Sequence, residues 1–306
     1  MYIDWIDYML PTEIVSNTEI EMLQPDWNVK LAEPRTGVLF RNWFPSTYSA
    51  VDLAVEIIKK HGDIPDTIIY CTQTPCKDLP GDSFMLHGML KLPNTVKLYD
   101  YQSACNGFIG GLSLARGMLL SREATKIMLV TAESYSKRME WDDSQRESRL
   151  LFGDGVAVTY LKQNWYFAPR SLGKITMYSD GNGYDYFYGD SAGLHMEGKA
   201  ILEFVMREVP SLINTILFDC GYIIDDIDLF VFHQASKVTL DFLNKKLKIP
   251  KEKQFTNLEY IGNTVSASIP IALKDAELQG RLHEGMKVLI AGFGSGLSWG
   301  GTIIEW

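Results

Sequence analysis

Two apolar runs constrain what this chain can fold into: Thr95 to Tyr101 (TVKLYDY) and Asp228 to His233 (DLFVFH) each read as a strand, and each gives way to helical periodicity. In the first half the change passes through Cys105, and in the second through His233. A strand, a residue able to do chemistry and then a helix, once per half, suggests an internal duplication.

The remaining elements follow the same alternation. Val51 to Lys60 places Val51, Ala54, Val55 and Ile58 on one helical face and ends on lysines, which suit the negative end of the helix dipole. Thr67 to Thr72 reads as a buried strand, Ser83 to Leu92 as a helix, and Lys126 to Thr131 as a strand covered on both faces. After Cys105 the pattern is helical to Leu120 despite Gly107, Gly110, Gly111 and Gly117, so close packing against another backbone is expected there. In the second half, helices are predicted over Glu197 to Phe218, with a kink or break at Pro210, and over Val238 to Lys246 and Ser266 to Gln279. Lys287 to Ala291 is a further buried strand, followed by a glycine-rich turn at Gly292 to Gly296. Strands alternating with helices predict an α/β fold with largely parallel sheets. At 306 residues the chain has room for two units. The pattern breaks near Lys162 to Leu172, which divides it into residues 1–163 and 164–306 packed as one rigid body.

A formal charge of −9 argues against a nucleic-acid-binding surface, because neutralising phosphates needs a basic face. The first ten residues carry Asp4 and Asp7 in place of a basic leader, and no apolar run nears the roughly 20 residues that span a bilayer. A cytoplasmic protein without membrane contact is expected. Cys71, Cys76, Cys105 and Cys220 are too few and scattered for a disulfide framework, and neither cysteines nor histidines show metal-ligand spacing. Reduced thiols and no metal are expected.

Cys105 lies at a strand-to-helix junction, where free backbone N–H groups and the helix dipole favour a thiolate; the same position also suits a small buried core residue. His233 ends a strand where α/β crevices open, and it fits a core histidine equally well. Asn263 precedes a helix and reads as a cap or as an amide donor. The Gly292 to Gly296 turn either reverses the chain or offers N–H groups to an oxyanion, and it matches no nucleotide-binding fingerprint.

Taken together, these strings resemble the ketoacyl-acyl carrier protein synthase III family of the thiolase superfamily. The matching segments are RTG (Arg35 to Gly37), SACNGFIGGL around Cys105, LLFGDGVAV (Leu150 to Val158), FHQAS around His233, GNTVSASIP (Gly262 to Pro270) and GFGSGLSWGG (Gly292 to Gly301). They stand in the family's order and span nearly the whole chain. The resemblance implies a thiolase fold, with two duplicated halves forming a five-layer α-β-α-β-α sandwich.

It also implies a reaction. Cys105 would take an acyl group from acyl-CoA, with the backbone N–H groups of Cys105 and Ser295 as the oxyanion hole. His233 and Asn263 would hold the carbonyl of a malonyl thioester, delivered on acyl carrier protein, as CO₂ leaves and a 3-oxoacyl product forms. An amide at Asn263 implies a carbanion made by decarboxylation, since proton abstraction would need a base. No cofactor is implied, acyl-CoA being a substrate. Arg35 and Arg146 would contact the coenzyme A nucleotide, Leu79 and Phe293 would line the acyl pocket, with Leu79 reaching across a homodimer, and Phe293 would shield the site from water.

The chain departs from the family pattern in three places. Leu31 stands where a tryptophan usually stacks on the adenine, with Trp27 further upstream. Leu79 replaces a common phenylalanine, which admits a longer or differently shaped acyl group. Glu203 and Val238 replace basic residues that meet the carrier protein, while Lys199, Arg207, Lys237, Lys245 and Lys246 lie near enough in sequence to rebuild a patch. Two other readings keep the motifs: transfer of the acyl group from Cys105 to an alcohol or amine, and a non-catalytic subunit that retains the fold.

Overall fold

A computed structural model describes residues 1–163, 168–190 and 193–306. In the first half the strands are β1 (Tyr2–Met9), β2 (Glu13–Ser16), β3 (Phe40–Trp43), β4 (Thr67–Cys71), β5 (Lys97–Tyr101), β6 (Lys126–Glu133) and β7 (Gly155–Lys162). The helices among them are α1 (Asn17–Leu23), α2 (Val29–Thr36), α3 (Ala50–His61), α4 (Asp82–Leu90), α5 (Gly107–Ser121) and α6 (Arg146–Leu151). The second half carries β8 (Ser171–Leu172), β9 (Thr176–Ser179), β10 (Phe187–Asp190), β11 (Gly193–Met196), β12 (Leu229–Phe232), β13 (Lys287–Gly294) and β14 (Ser298–Glu305). Its helices are α7 (Gly198–Cys220), α8 (Lys237–Leu247), α9 (Leu258–Ile261) and α10 (Ser268–Leu278).

One strand scheme occurs twice. In the first half the order is β5-β4-β6-β7-β1, with β4 parallel to β5 and β6, and with β7 antiparallel to both β6 and β1. In the second, β12 is parallel to β13, β14 is antiparallel to β13, and β8 and β9 are antiparallel to β14. A parallel bridge from Phe230 to Gln254 marks the place that β5 holds in the first half. The short β8 joins the ladders by pairing with both β1 and β14. The sheet is therefore mixed, whereas the sequence pattern predicts largely parallel strands. The reason is local: β14 follows β13 through a three-residue connection, too short for a parallel crossover.

Helices α5 and α10 form the middle layer, since α5 touches β4 and β6 as well as β13 and β14, and α10 touches β1 and β7 as well as β12 and β13. Helix α3 covers β1, β6 and β7 on one outer side, and α7 covers β13 and β14 on the other. The result is the expected helix-sheet-helix-sheet-helix sandwich. The break placed near Lys162 to Leu172 runs partly through residues 164–167, outside the described residues.

Local chemistry explains the helix ends that frame the site. Ser49 and Asp52 form a capping box on α3, which ends on Lys59, Lys60 and His61 before Gly62. The interruption expected at Pro210 is not found, and α7 runs through it. Its buried face, including Val205, Val209, Leu212, Ile213 and Ile216, outweighs the one hydrogen bond that proline forgoes. Of the four glycines in α5, two are sterically required, and their neighbours are side chains and not a backbone. A Cβ on Gly107 would lie 2.5 Å from Cys71 Sγ, and one on Gly111 would lie 2.4 Å from Leu129 Cδ1.

Candidate active site

A cavity of about 490 Å³ opens between α2, α7 and α8 and ends on Cys105, His233 and Asn263. The first half supplies Cys105 on a 3-10 turn, Ala104–Asn106, that feeds α5. Ala104 there has a φ of +44°, a left-handed conformation that costs an L-residue about 1–3 kcal/mol. The second half repeats the turn at Val265–Ala267 before α10, with Val265 at +53°, a greater strain for a β-branched residue. The two strained turns touch each other.

The stretch Gly292–Gly294 continues β13 and is not a loop, correcting the glycine-rich turn; only Ser295 to Leu297 reverse the chain. Glycine is needed because this strand end passes against the nucleophile: a Cβ on Gly294 would stand 2.7 Å from Cys105 Cβ. Ser295, next along, lines the cavity, and its hydroxyl donates to the Phe187 carbonyl at 2.5 Å.

His233 follows β12, with its N–H donating to Ala291 O at 2.8 Å. Its Nδ1 lies 2.7 Å from Ser268 Oγ, and the same oxygen accepts the Gln234 N–H at 3.4 Å. Among the described residues Nδ1 is the one acceptor within reach of the buried Ser268 hydroxyl, which therefore donates to it and sets the ring as the tautomer with its proton on Nε2. Burial holds the imidazole well below its ordinary range, at about 3, so it is neutral at physiological pH. Asn263 is oriented in a similar way. Its Oδ1 accepts the Val265 N–H at 2.9 Å, and its Nδ2 donates to Ala235 O at 3.2 Å, which leaves one amide proton for the cavity. The site thus presents two neutral donors beside a thiol.

The helix terminus does not make Cys105 a resting thiolate. Burial, and then the Glu133 carboxyl, push the thiol pKa up. Glu133 is itself buried at the end of β6, where it accepts from Ser266 Oγ at 2.6 Å, from the Gln73 N–H at 3.1 Å and from Thr74 Oγ1 at 3.3 Å. Burial raises its pKa to about 8.

The other expected positions divide. Phe293 lines the cavity edge-on to His233, with ring centroids 5.5 Å apart. Arg35 stands at the mouth, 3.6 Å from Glu147, an exposed pair that a phosphate can displace at little cost. Arg146 is half-buried and Leu79 is 85% exposed, and neither lines the cavity that ends on Cys105. Trp27 is core: it is buried, and its Nε1 donates to Asp143 at 2.9 Å. Leu31 is exposed. Of the basic residues near the mouth, Lys199, Arg207 and Lys237 pair with Glu203, Glu208 and Asp241, while Lys245 and Lys246 form no ion pair among the described residues. No cluster of metal-ligating side chains occurs among the described residues.

Sequence reading missed Ser268, Ser266 and Glu133. Both serines lie within the GNTVSASIP string, where only Asn263 drew attention. A carboxylate closing the apolar run KIMLVTAE was the available signal for Glu133.

Comparisons with known proteins agree with this geometry. Residues 99–181 match the family described as 3-Oxoacyl-[acyl-carrier-protein (ACP)] synthase III, and residues 217–306 match its C-terminal counterpart. The chain is 31% identical to the beta-ketoacyl-[acyl-carrier-protein] synthase III of Nitratidesulfovibrio vulgaris, over 96% of each protein. It is 30% identical to that of Aquifex aeolicus, over 97% of this chain and 96% of the relative. The crystal structure of the Aquifex aeolicus VF5 enzyme superposes with a TM-score of 0.92 at 28% identity, covering 100% of this chain and 99% of the other. A 2.1 Å crystal structure of a 3-oxoacyl-(acyl-carrier-protein) synthase III gives 0.90 at 32% identity, with 100% and 99% covered. With a strained cysteine turn, a neutral histidine and an oriented amide meeting in one cavity of a duplicated α/β sandwich, the chain belongs to the 3-oxoacyl-[acyl-carrier-protein] synthase III family.

Proposed function

We propose that this protein transfers an acyl group from acyl-CoA to Cys105 and condenses it with malonyl-acyl carrier protein, releasing CO₂ and a 3-oxoacyl product, as a step of fatty-acid biosynthesis. The observation that carries the proposal is the convergence of Cys105, His233 and Asn263 on one cavity whose mouth bears Arg35. In the first step the Cys105 sulfur attacks the thioester carbon, the carbon–sulfur bond to coenzyme A breaks, and the thiol proton leaves on the coenzyme A sulfur. The N–H groups of Cys105 and Ser295 hold the transient oxyanion, and Gly294 supports this by bringing the strand end against the cysteine.

In the second step the malonyl thioester carbonyl takes hydrogen bonds from His233 Nε2 and Asn263 Nδ2. The carboxylate departs as CO₂, and its electron pair forms an enolate that these two donors stabilise. Neither group is acidic enough to quench the carbanion, because His233 is kept neutral. The enolate carbon attacks the acyl-Cys105 thioester, and the cysteine leaves as a thiolate that takes up a proton. Arg35 and Arg146 are the candidates for the nucleotide phosphates. Lys245 and Lys246, exposed in the last turn of α8, whose first turn lines the cavity, are the candidates for the acidic carrier protein.

The proposal extends to a cytoplasmic homodimer. No helix among the described residues is long and apolar enough to cross a membrane. Strand β5 supports a dimer, since among the described residues its ladder partner is β4 alone, which leaves its outer edge to a second copy. Leu79 would reach a neighbouring site only across such an interface. The test of the reaction is twofold: intact-protein mass spectrometry with acyl-CoAs should show an adduct that vanishes in Cys105→Ala, and malonyl-acyl carrier protein should then yield CO₂ and a 3-oxo product. An adduct that persists in Cys105→Ala overturns the proposal.

A further inference from the structure

The interior beside the site holds a cation that the proposed reaction does not use. Arg41, on β3, is fully buried and is among the largest side chains so enclosed. Its guanidinium reaches three separate segments. Nη1 donates to Val15 O of β2 at 3.3 Å, while Nη2 donates to Leu150 O of α6 at 2.9 Å and to Asn17 Oδ1, at the start of α1, at 2.6 Å. All three acceptors are neutral. The acid in this network stands one step removed, where Asn17 Nδ2 donates to Glu33 of α2 at 3.0 Å. A guanidinium taken out of water onto neutral oxygens is costly, and an apolar side chain of its volume commonly stabilises an interior as well or better. What arginine alone supplies is a planar fork that fixes several acceptors in direction at once.

One of those acceptors adjoins the segment that holds Asn263. Next to Leu150, Leu151 O accepts the Asn263 N–H at 3.0 Å, and the Gly153 N–H donates to Asn263 O at 3.0 Å, so that Phe152 and Asn263 form a parallel bridge. The stem of Arg41 packs on both glycines beside that bridge. A Cβ on Gly153 would stand 3.3 Å from Arg41 Cβ, and one on Gly262, whose φ is +74°, would stand 3.2 Å from it. The rest of β3 grips the same segment: Trp43 Nε1 donates to Phe152 O at 3.1 Å, and Asn42 O accepts the Asp154 N–H at 2.8 Å. Arg41 therefore meets the bridge at its stem and at Leu150. Through Asn17 and Glu33 it also meets α2, whose Ala32, Arg35 and Thr36 line the cavity.

Resting on the reading of Asn263 as a donor in the condensation step, we propose that Arg41 is a positioning residue for Asn263: its fork and stem set the register of the Phe152–Asn263 bridge, and so the place of the amide that stabilises the enolate. Arg41 touches no substrate. A small displacement of the amide spoils its aim at an oxygen that carries charge only during the reaction. Acyl loading escapes this effect, because Cys105 sits on the turn before α5 and Ser295 just past β13, two places that Arg41 does not bond.

The test compares wild type, Arg41→Lys, Arg41→Met, Asn263→Ala and each Arg41 variant combined with Asn263→Ala. Two rates are read. The first is adduct formation on Cys105, by intact-protein mass spectrometry, with whichever of acetyl- to decanoyl-CoA wild type loads fastest. The second is CO₂ release when the acylated proteins meet saturating malonyl-acyl carrier protein. Arg41→Lys keeps the charge and loses the fork, and Arg41→Met keeps an apolar stem alone. Both should load within about twofold of wild type and release CO₂ about tenfold or more slowly. In the Asn263→Ala background the same substitutions should cost less than about twofold further, because the amide they displace is gone. Wild-type CO₂ release in either Arg41 variant, equal losses in loading and release, a full loss repeated in the Asn263→Ala background, or failure of both Arg41 variants to fold overturns this inference alone. Wild-type CO₂ release in Asn263→Ala, or no adduct in wild type, overturns the reading of the site and this inference with it.

Discussion

The two halves use one backbone device for different ends. Each sends its central helix off a 3-10 turn that contains a left-handed residue, Ala104 before α5 and Val265 before α10. In the first turn the next residue is Cys105, facing the cavity. In the second it is Ser266, facing away from the cavity and onto buried Glu133. The strained turn is therefore not what makes a nucleophile. What differs is the side chain placed on it and the cavity or carboxyl it meets, while the second half turns the same strain to holding Asn263 through the Val265 N–H.

The sharpest way to break this comparison is to alter the equivalent residues. Cys105→Ser should retain the turn and lose at least about three orders of magnitude in kcat, because a serine hydroxyl without an adjacent base is a poor nucleophile. Ser266→Ala, at the matching place, should still form the acyl adduct at near the wild-type rate in mass spectrometry. A Ser266→Ala variant as dead as Cys105→Ser would mean that the halves are not separable in this way. A second division follows within the reaction: His233→Ala and Asn263→Ala should each load acyl-Cys105 yet lose about a hundredfold or more in CO₂ release, as expected for removing one preorganised donor. Loss of loading in either variant would count against donors that serve only the second step.

The same comparison explains what the sequence could reveal. The alternation of helix and strand was legible because buried strands such as β4 and β6 are nearly continuous apolar runs. The antiparallel β1 was not assigned, because Asp4 and Asp7 interrupt its apolar run. In the fold Asp4 is answered by Lys162 at 2.6 Å, and Asp7 by Lys60 and His61 at 2.7 and 2.9 Å, each partner more than fifty residues away. Cys105, His233 and Asn263 were legible through their motifs and ambiguous by position alone. Ser268 and Glu133 act through partners that only the folded chain brings near: Ser268 stands 35 positions from His233, and Ser266 stands 133 positions from Glu133, in the other half. No periodicity encodes such pairs.

Ser268 provides a smaller and more selective probe. Ser268→Ala removes the donor to His233 Nδ1 and frees the ring to adopt the other tautomer, which should lower condensation by about tenfold, the scale of one net hydrogen bond of 1.4 kcal/mol. Acyl loading should be unaffected, and Ser268→Thr, which restores a hydroxyl, should recover most of the rate. Equal losses in loading and condensation would make Ser268 merely structural.

The smallest effect concerns stability, and it again contrasts the halves. His233, in the second, has its pKa lowered by burial from 6.5 to about 3, so between those values the unfolded chain binds a proton that the native state refuses, and stability rises with pH. Glu133, in the first, is raised by burial from 4.5 to about 8. Over that window the native state keeps a proton that the unfolded chain releases, and its contribution falls as pH rises. Each acts with a slope of about 1.4 kcal/mol per pH unit when fully expressed. The two oppose each other between pH 4.5 and 6.5, so above pH 6.5 the Glu133 decline is opposed only by the Met1 amino group, whose pKa burial and then Arg116 lower from 8.0. Asp154, raised by burial from 3.8 to about 6, adds its decline below pH 6.5. Urea midpoints measured across pH 6.5 to 8 should therefore fall in wild type relative to Glu133→Gln, which has no proton to lose there. The same decline in both would mean that the carboxyl beneath the two turns is ionised in the native protein. It would then be a fixed negative charge set against the Cys105 thiolate, and not a neutral strut between the halves.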